Sequence, residues 1–275
     1  MLVSGQADAA LVDALEALVD DRLARSASRM VVLGICGAQG SGKSTLADAL
    51  CRRFSARPAA VPMAVLSLDD LYRTRAERAV LARDVHPLLA TRGVPGTHDI
   101  GLGLDLLDAL DRGEAVRLPR FDKGRDDRTP EAQWPLAGPG VRLLIVEGWC
   151  VGATAQQPAE LIEPVNPLEA CEDADRIWRY HVNAALAGDY QRFFARLDAL
   201  ALLAAPSFEV VVRWRDEAER PLRDGGSPEA MDEPMIRRFV QHYERLTRHI
   251  LREMPARADL VAWLDDRRRP VRLDR

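Results

Sequence analysis

The chain has 275 residues, 47% of them apolar, and a formal net charge of −4. That length suits one large α/β domain or two small ones with an ample core, and the acidic balance argues against wholesale binding of nucleic acid or anionic membrane. Residues 1–10 carry no basic stretch followed by an apolar one, and no apolar run reaches bilayer-spanning length, so the expected location is the cytoplasm.

In chain order, Leu11, Leu15, Leu18, Val19 and Leu23 recur at helical spacing and predict an amphipathic helix over residues 7–26, within an N-terminal segment 1–29 ahead of the core. The apolar run Met30-Val31-Val32-Leu33-Gly34-Ile35-Cys36 predicts the first strand. Gly37-Ala38-Gln39-Gly40-Ser41-Gly42-Lys43-Ser44-Thr45 follows it and fits the phosphate-binding loop G-x-x-x-x-G-K-[ST]. Residues 44–54 then read as a helix with Leu46, Ala47 and Leu50 on one face. Glycines let the backbone wrap its N–H groups around phosphate oxygens, and the helix N-terminus adds partial positive charge. Lys43 is expected to reach the β- and γ-phosphates, with the Ser44 hydroxyl in a magnesium shell. Of 38 basic residues only Lys43 and Lys123 are lysines. A phosphate loop needs the slim ammonium that a planar guanidinium cannot replace, so Lys123 is either a second functional lysine or a surviving surface one.

Two further apolar runs, residues 64–68 and 141–146, end in carboxylates: Asp69-Asp70 and Glu147. Near-continuous apolar runs separated by helical stretches predict a parallel sheet covered on both faces. Residues 200–204 and 260–264 are candidates for the fourth and fifth strands. The expected fold is thus an α/β P-loop type sheet of about five strands, a single domain with insertions at 85–140 and 152–198. The first insertion holds a helix near residues 102–110, and the second a helical stretch ending around Phe193 and Phe194. Residues 208–215 carry both strand and helix signals, and 233–253 read as a helix. Asp265-Asp266-Arg267-Arg268-Arg269 reads as solvated surface. The cysteines Cys36, Cys51, Cys150 and Cys171 form no C-x-x-C pair and read as buried free thiols.

Ligands of open α/β sheets bind outside the carboxyl ends of the strands, so Asp69, Asp70 and Glu147 are expected around the phosphate loop. Phosphoryl transfer needs magnesium near the β- and γ-oxygens and a base or orienting group for the acceptor, and each of the three carboxylates suits either task. Arg213, Arg215, Arg220 and Arg223 form either an arginine-bearing lid or a solvated helix face. His98, in Gly96-Thr97-His98-Asp99, reads as a loop or capping residue on its own. A regulatory GTPase would need N-K-x-D and D-x-x-G motifs, and neither occurs.

These segments together resemble the D-glycerate 3-kinases of plants and fungi, a branch of the P-loop kinases with uridine kinase, phosphoribulokinase and bacterial pantothenate kinase. The likeness runs through Gly37 to Thr45; Ser67-Leu68-Asp69-Asp70-Leu71-Tyr72; Arg92-Gly93 with Gly96-Thr97-His98-Asp99; and Pro119-Arg120-Phe121-Asp122-Lys123 with Gly124, Asp127 and Arg128. It continues through Glu147-Gly148-Trp149 and Arg213-Trp214-Arg215 with Ala218-Glu219. It implies transfer of the ATP γ-phosphate, with Mg2+, to a hydroxyl of D-glycerate. Lys43, Asp69, Glu147 and Arg215 become catalytic candidates, with Asp69 as base. Residues 37–45 and Arg213 bind nucleotide, and Asp69, Tyr72, Arg92, His98, Arg120, Lys123 and Arg128 meet substrate or phosphate. Ser44, Asp70 and Glu147 become metal candidates, and residues 206–224 a lid helix. A kinase of another small hydroxylated metabolite or nucleoside, or a slow ATP-hydrolysing regulator, are the alternatives.

Overall fold

The computed structural model describes residues 7–225 and 231–275. The strand that leads into the phosphate loop, β1 (Val31–Gly37), is buried along its whole length. Among the described residues it lies inside a six-stranded sheet with β2 (Met63–Ser67), β3 (Leu143–Gly148), β4 (Ala199–Ala204), β5 (Leu260–Leu264) and β6 (Pro270–Asp274), in the order β6-β5-β4-β1-β3-β2. The pairs β1–β3, β1–β4, β2–β3 and β4–β5 are parallel, and β6 is antiparallel to β5. The order doubles back at β1, which opens a crevice at the carboxyl ends of β1, β2 and β3.

Strand residues alternate between two apolar layers, as the two-residue period of a strand requires. Val31, Leu33, Ile35, Leu143 and Ile145 join one layer. It is closed by helices α1 (Ala9–Arg25), α2 (Lys43–Ser55) and α8 (Glu209–Asp224). Val32, Cys36, Leu144 and Val146 join the other, closed by α4 (Ile100–Asp111) and α7 (Asp189–Phe194), while α9 (Glu233–Glu253) contributes to both. Helix α3 (Arg75–Asp84) follows the turn after β2, and α5 (Pro167–Glu172) and α6 (Ile177–Ala187) lie between β3 and β4. Aspartates set several helix starts, the side chains of Asp8, Asp99 and Asp232 accepting first-turn N–H groups of α1, α4 and α9.

The five expected strands are present, and the antiparallel β6 adds a sixth. Residues 209–224 are helical because Val211 and Trp214 fall on one face and are fully buried, which outweighs the β-branched propensity. Truncating so buried a tryptophan costs about 3–5 kcal/mol, so α8 is anchored to the core. The run 265–269 is not simple solvated surface: it is the β5–β6 turn, and Arg268 reaches the phosphate loop. Cys36 and Cys150 are buried as expected, but Cys51 is half-buried and Cys171 exposed. Residues 1–6 of the N-terminal segment lie outside the described residues. No helix among the described residues is long and apolar enough to cross a membrane.

Candidate active site

The phosphate loop takes its shape from backbone. Gly40 has φ +78° and Gly42 φ +96°, left-handed values that glycine adopts without strain. A Cβ at Gly40 would also lie 2.9 Å from that of Trp214 on α8, so the loop is pressed against that helix. Gly42 starts α2 without a side-chain cap, which leaves first-turn N–H groups open to an anion. The Gln39 Oε1 and Ser41 Oγ atoms are buried without a partner. Lys43 Nζ donates to the Ala38 carbonyl at 3.1 Å, folded across the loop it is expected to serve. Ser44 Oγ donates to Glu147 Oε1 at 3.2 Å. Glu147 sits near the end of β3, paired in register with Ile35 and Ser67, and is only 7% exposed. Two oxygens beside a phosphate cradle fit magnesium, which takes few protein ligands and fills its octahedron with water and phosphate.

Across from the loop, residues 68–71 form a single helical turn after β2 and carry Asp69 and Asp70. Asp69 meets Lys123 Nζ at 2.7 Å through Oδ2 and the Tyr72 hydroxyl at 2.6 Å through Oδ1. Burial alone would raise this carboxyl. The Lys123 charge and hydrogen bond, the Tyr72 hydroxyl and the Lys43 charge outweigh it and bring the pKa down to about 2. Lys43 and Lys123, from opposite walls, thus act on one carboxylate. Asp70 faces elsewhere. Its Oδ2 holds Arg120 at 3.0 Å and its Oδ1 accepts the Phe121 N–H at 3.0 Å, fastening residues 119–121 to the turn. Both oxygens of this metal candidate are therefore engaged by protein, and so is the substrate candidate Arg120.

The other acceptor-side residues are tied in similar fashion. Tyr72 and His98 form an antiparallel bridge, and their ring centroids lie 4.7 Å apart with the planes tilted by 32°. His98 is 1% exposed, with Nδ1 2.5 Å from the Tyr190 hydroxyl; burial drives its pKa down to about 3, so the ring is neutral. It backs Tyr72, in a buried position rather than on an open wall. Arg92 is paired with Asp126, and Arg128 donates to the Tyr72 carbonyl at 2.9 Å and to Asp99 at 3.4 Å. Arg215 on α8 is bound to Glu219 at 2.6 Å. Arg213 points to the β5–β6 turn, where it pairs with Asp266 at 3.0 Å.

Tyr243 and Arg268 were not expected at the site, and Trp149 entered only through the Glu147-Gly148-Trp149 segment of the likeness. The Tyr243 hydroxyl and Trp149 Nε1 hold the Arg92 and Gly93 carbonyls at 2.9 and 2.8 Å, fixing the loop that carries Arg92. Arg268 Nε donates to the Gly40 carbonyl at 2.6 Å while its guanidinium lies 5.1 Å over the Trp214 ring. Tyr243 lies on a helix whose periodicity reads only as core, and Arg268 is one arginine in a charged run, so neither carried a signal.

A scan against protein-family models gives no match. Individual relatives do match. A fission yeast protein described as an uncharacterized kinase, mug58 of Schizosaccharomyces pombe, is 34% identical over 260 residues, covering 84% of this chain and 87% of the relative. The chloroplastic D-glycerate 3-kinase of Arabidopsis thaliana is 30% identical over 260 residues, covering 88% of this chain but 54% of the plant protein's length. The solved structure of D-glycerate 3-kinase from Cryptococcus neoformans superposes with a TM-score of 0.81 at 22% identity, covering 97% of this chain and 99% of that one. The chain belongs to the same kinase family as the fission yeast protein, and it shares the fold of the D-glycerate 3-kinase structure. It is a phosphotransferase with a hydroxyl group as acceptor.

Proposed function

We propose that the protein uses ATP and Mg2+ to phosphorylate a hydroxyl of D-glycerate, giving 3-phosphoglycerate and ADP. One observation carries this reading: Asp69 is an ionised carboxylate held between Lys123 and Tyr72, opposite a phosphate loop whose Lys43 is close enough to act on its charge. Lys43 and the amides of residues 37–45 bind the phosphates. Ser44 and Glu147 would hold the metal, which would supply charge neutralisation for the transferring phosphates. Asp69 receives the proton of the acceptor hydroxyl as its oxygen bonds to the γ-phosphorus and the bond to the β–γ bridging oxygen breaks. Lys123 binds the acceptor carboxylate. Asp70 anchors Arg120 and Phe121, and His98 positions Tyr72.

Helix α8 is a lid fixed in place by Val211 and Trp214, and the Arg215 side chain, released from Glu219, turns to the transferred group. Arg213 steadies the β5–β6 turn beside the nucleotide. Free thiols at all four cysteines suit a reducing cytoplasm. Lys123 on Asp69 favours an acceptor that carries an anion over a neutral nucleoside.

ADP release measured against hydroxy acids, sugars, pantothenate and nucleosides tests the assignment. D-glycerate should give the highest kcat/KM. A nucleoside or sugar in first place, or ADP release indifferent to every acceptor, would replace the reading with one of its two alternatives.

A further inference from the structure

Most cations around Asp69 are held by other groups: Arg120 by Asp70, Arg92 by Asp126, Arg128 by Asp99 and the Tyr72 carbonyl. Lys123 differs, because its partner is Asp69 itself. With Lys123 on Oδ2 and Tyr72 on Oδ1, both carboxylate oxygens are engaged before an acceptor arrives. The lysine sits where a two-stranded ribbon turns, between Phe121–Asp122 and Asp127–Arg128, with the turn amides of Gly124 and Arg125 fixed on Asp122 Oδ1. Its side chain remains 61% exposed, against 28% for Asp69. The ammonium end of the pair faces water, so Lys123 can swing to a new anion without leaving solvent.

We infer that Lys123 makes transfer conditional on a negatively charged acceptor: a carboxylate beside the reacting hydroxyl draws the ammonium off Asp69, and Oδ2 is then free to take the hydroxyl proton. This rests on the kinase reading above and extends it to selectivity. Neutral polyols and nucleosides bring no anion, so Lys123 stays on the base. Water brings none either, and the same contact suppresses hydrolysis, in which water oxygen would bond to the γ-phosphorus, the β–γ bridging bond would break, and a proton would pass to Oδ2, giving ADP and inorganic phosphate. Tyr72 keeps Oδ1 engaged throughout, so only one oxygen changes partner.

The lysine count makes the exchange visible. A protein isotope-labelled at lysine Cε shows two lysine side-chain signals by NMR, from Lys43 and Lys123, and Lys123→Arg removes one and assigns both. D-glycerate without nucleotide should move the Lys123 signal, and glycerol at the same concentration should leave it in place. Lys123→Met should lower D-glycerate-dependent ADP release about 100-fold and raise acceptor-free ADP release about fivefold. A Lys123 signal unmoved by D-glycerate that the wild type phosphorylates overturns the exchange and leaves the kinase reading standing. So does a Lys123→Met protein with the wild-type preference for D-glycerate over glycerol. A wild type that phosphorylates a nucleoside and no hydroxy acid overturns both.

Discussion

The proposed nucleotide wall of the site is one continuous stretch, β1 running into the phosphate loop and α2, and in this reading nearly all its chemistry comes from main-chain amides plus Lys43 and Ser44. The acceptor wall draws on separated segments: the turn at 68–71, the loop at 92–99, the ribbon at 119–128, and side chains of Trp149, Tyr190 and Tyr243. Backbone holds the first wall; carboxylate–cation pairs and buried tyrosines hold the second. The first therefore keeps its shape whatever its side chains do, whereas the second can be re-set by exchanging one charged partner. A kinase branch built this way can keep one donor site and change acceptors by substitution at a few paired positions.

The sharpest test of the contrast lies on the nucleotide wall. Lys43→Ala should lower kcat/KM about 1000-fold, since a clamp on transferring phosphoryl oxygens is lost, while thermal stability changes little, because among the described residues the lysine's hydrogen bond goes to one loop carbonyl. Near-normal turnover in that variant would remove the donor site from residues 37–45. On the opposite wall, Asp69→Asn should cut kcat by about 100-fold or more with ATP affinity kept, as expected for loss of a base. A near-native kcat would shift that role to Glu147, the remaining carboxylate that faces the loop.

How much of this was legible in the sequence follows the same division. Residues 37–45 could be read directly because a local pattern of glycines and one lysine encodes a local backbone shape, and β1 and α2 flank it as predicted. The five parallel strands were legible because their mostly buried residues form near-continuous apolar runs. The partners of Asp69 and Asp70 were not, since Lys123 and Arg120 lie 54 and 50 positions away and only folding shows which carboxylate each one meets. Asp69 and Asp70 are chemically identical neighbours, and the single helical turn that carries them decides that one faces the loop while the other fastens Phe121. The β6 strand was hidden because its residues are mostly exposed or half-buried and carry no apolar run.

Asp70 offers the next test, of intermediate size. Asp70→Asn keeps an acceptor for the Phe121 N–H but cancels the charge that holds Arg120. The expected result is a rise of about three- to tenfold in the acceptor KM, with the Mg2+ concentration for half-maximal rate unchanged. A raised Mg2+ requirement with the acceptor KM intact would return Asp70 to the metal shell.

The smallest expected effect is at the seam between the loop and α8. Arg268 donates to the Gly40 carbonyl at 2.6 Å, binds Glu217 at 2.7 Å and lies over Trp214, whose Nε1 in turn donates to the Asp266 carbonyl at 2.9 Å. One guanidinium thus ties the β5–β6 turn, the phosphate loop and α8 together. Its pull on Gly40 fixes a loop that backbone torsions already shape, so the contribution should be modest. Arg268→Ala should raise the ATP KM about fivefold, the equivalent of about 1 kcal/mol for one charge-assisted hydrogen bond, with the acceptor KM unchanged. Arg268→Lys should recover part of that loss, since an ammonium can reach Glu217 but cannot lie flat on the indole while donating to the loop. If both variants bind ATP as the wild type does and only melt earlier, the turn is scaffold alone, and the rigidity of the nucleotide wall belongs wholly to its backbone.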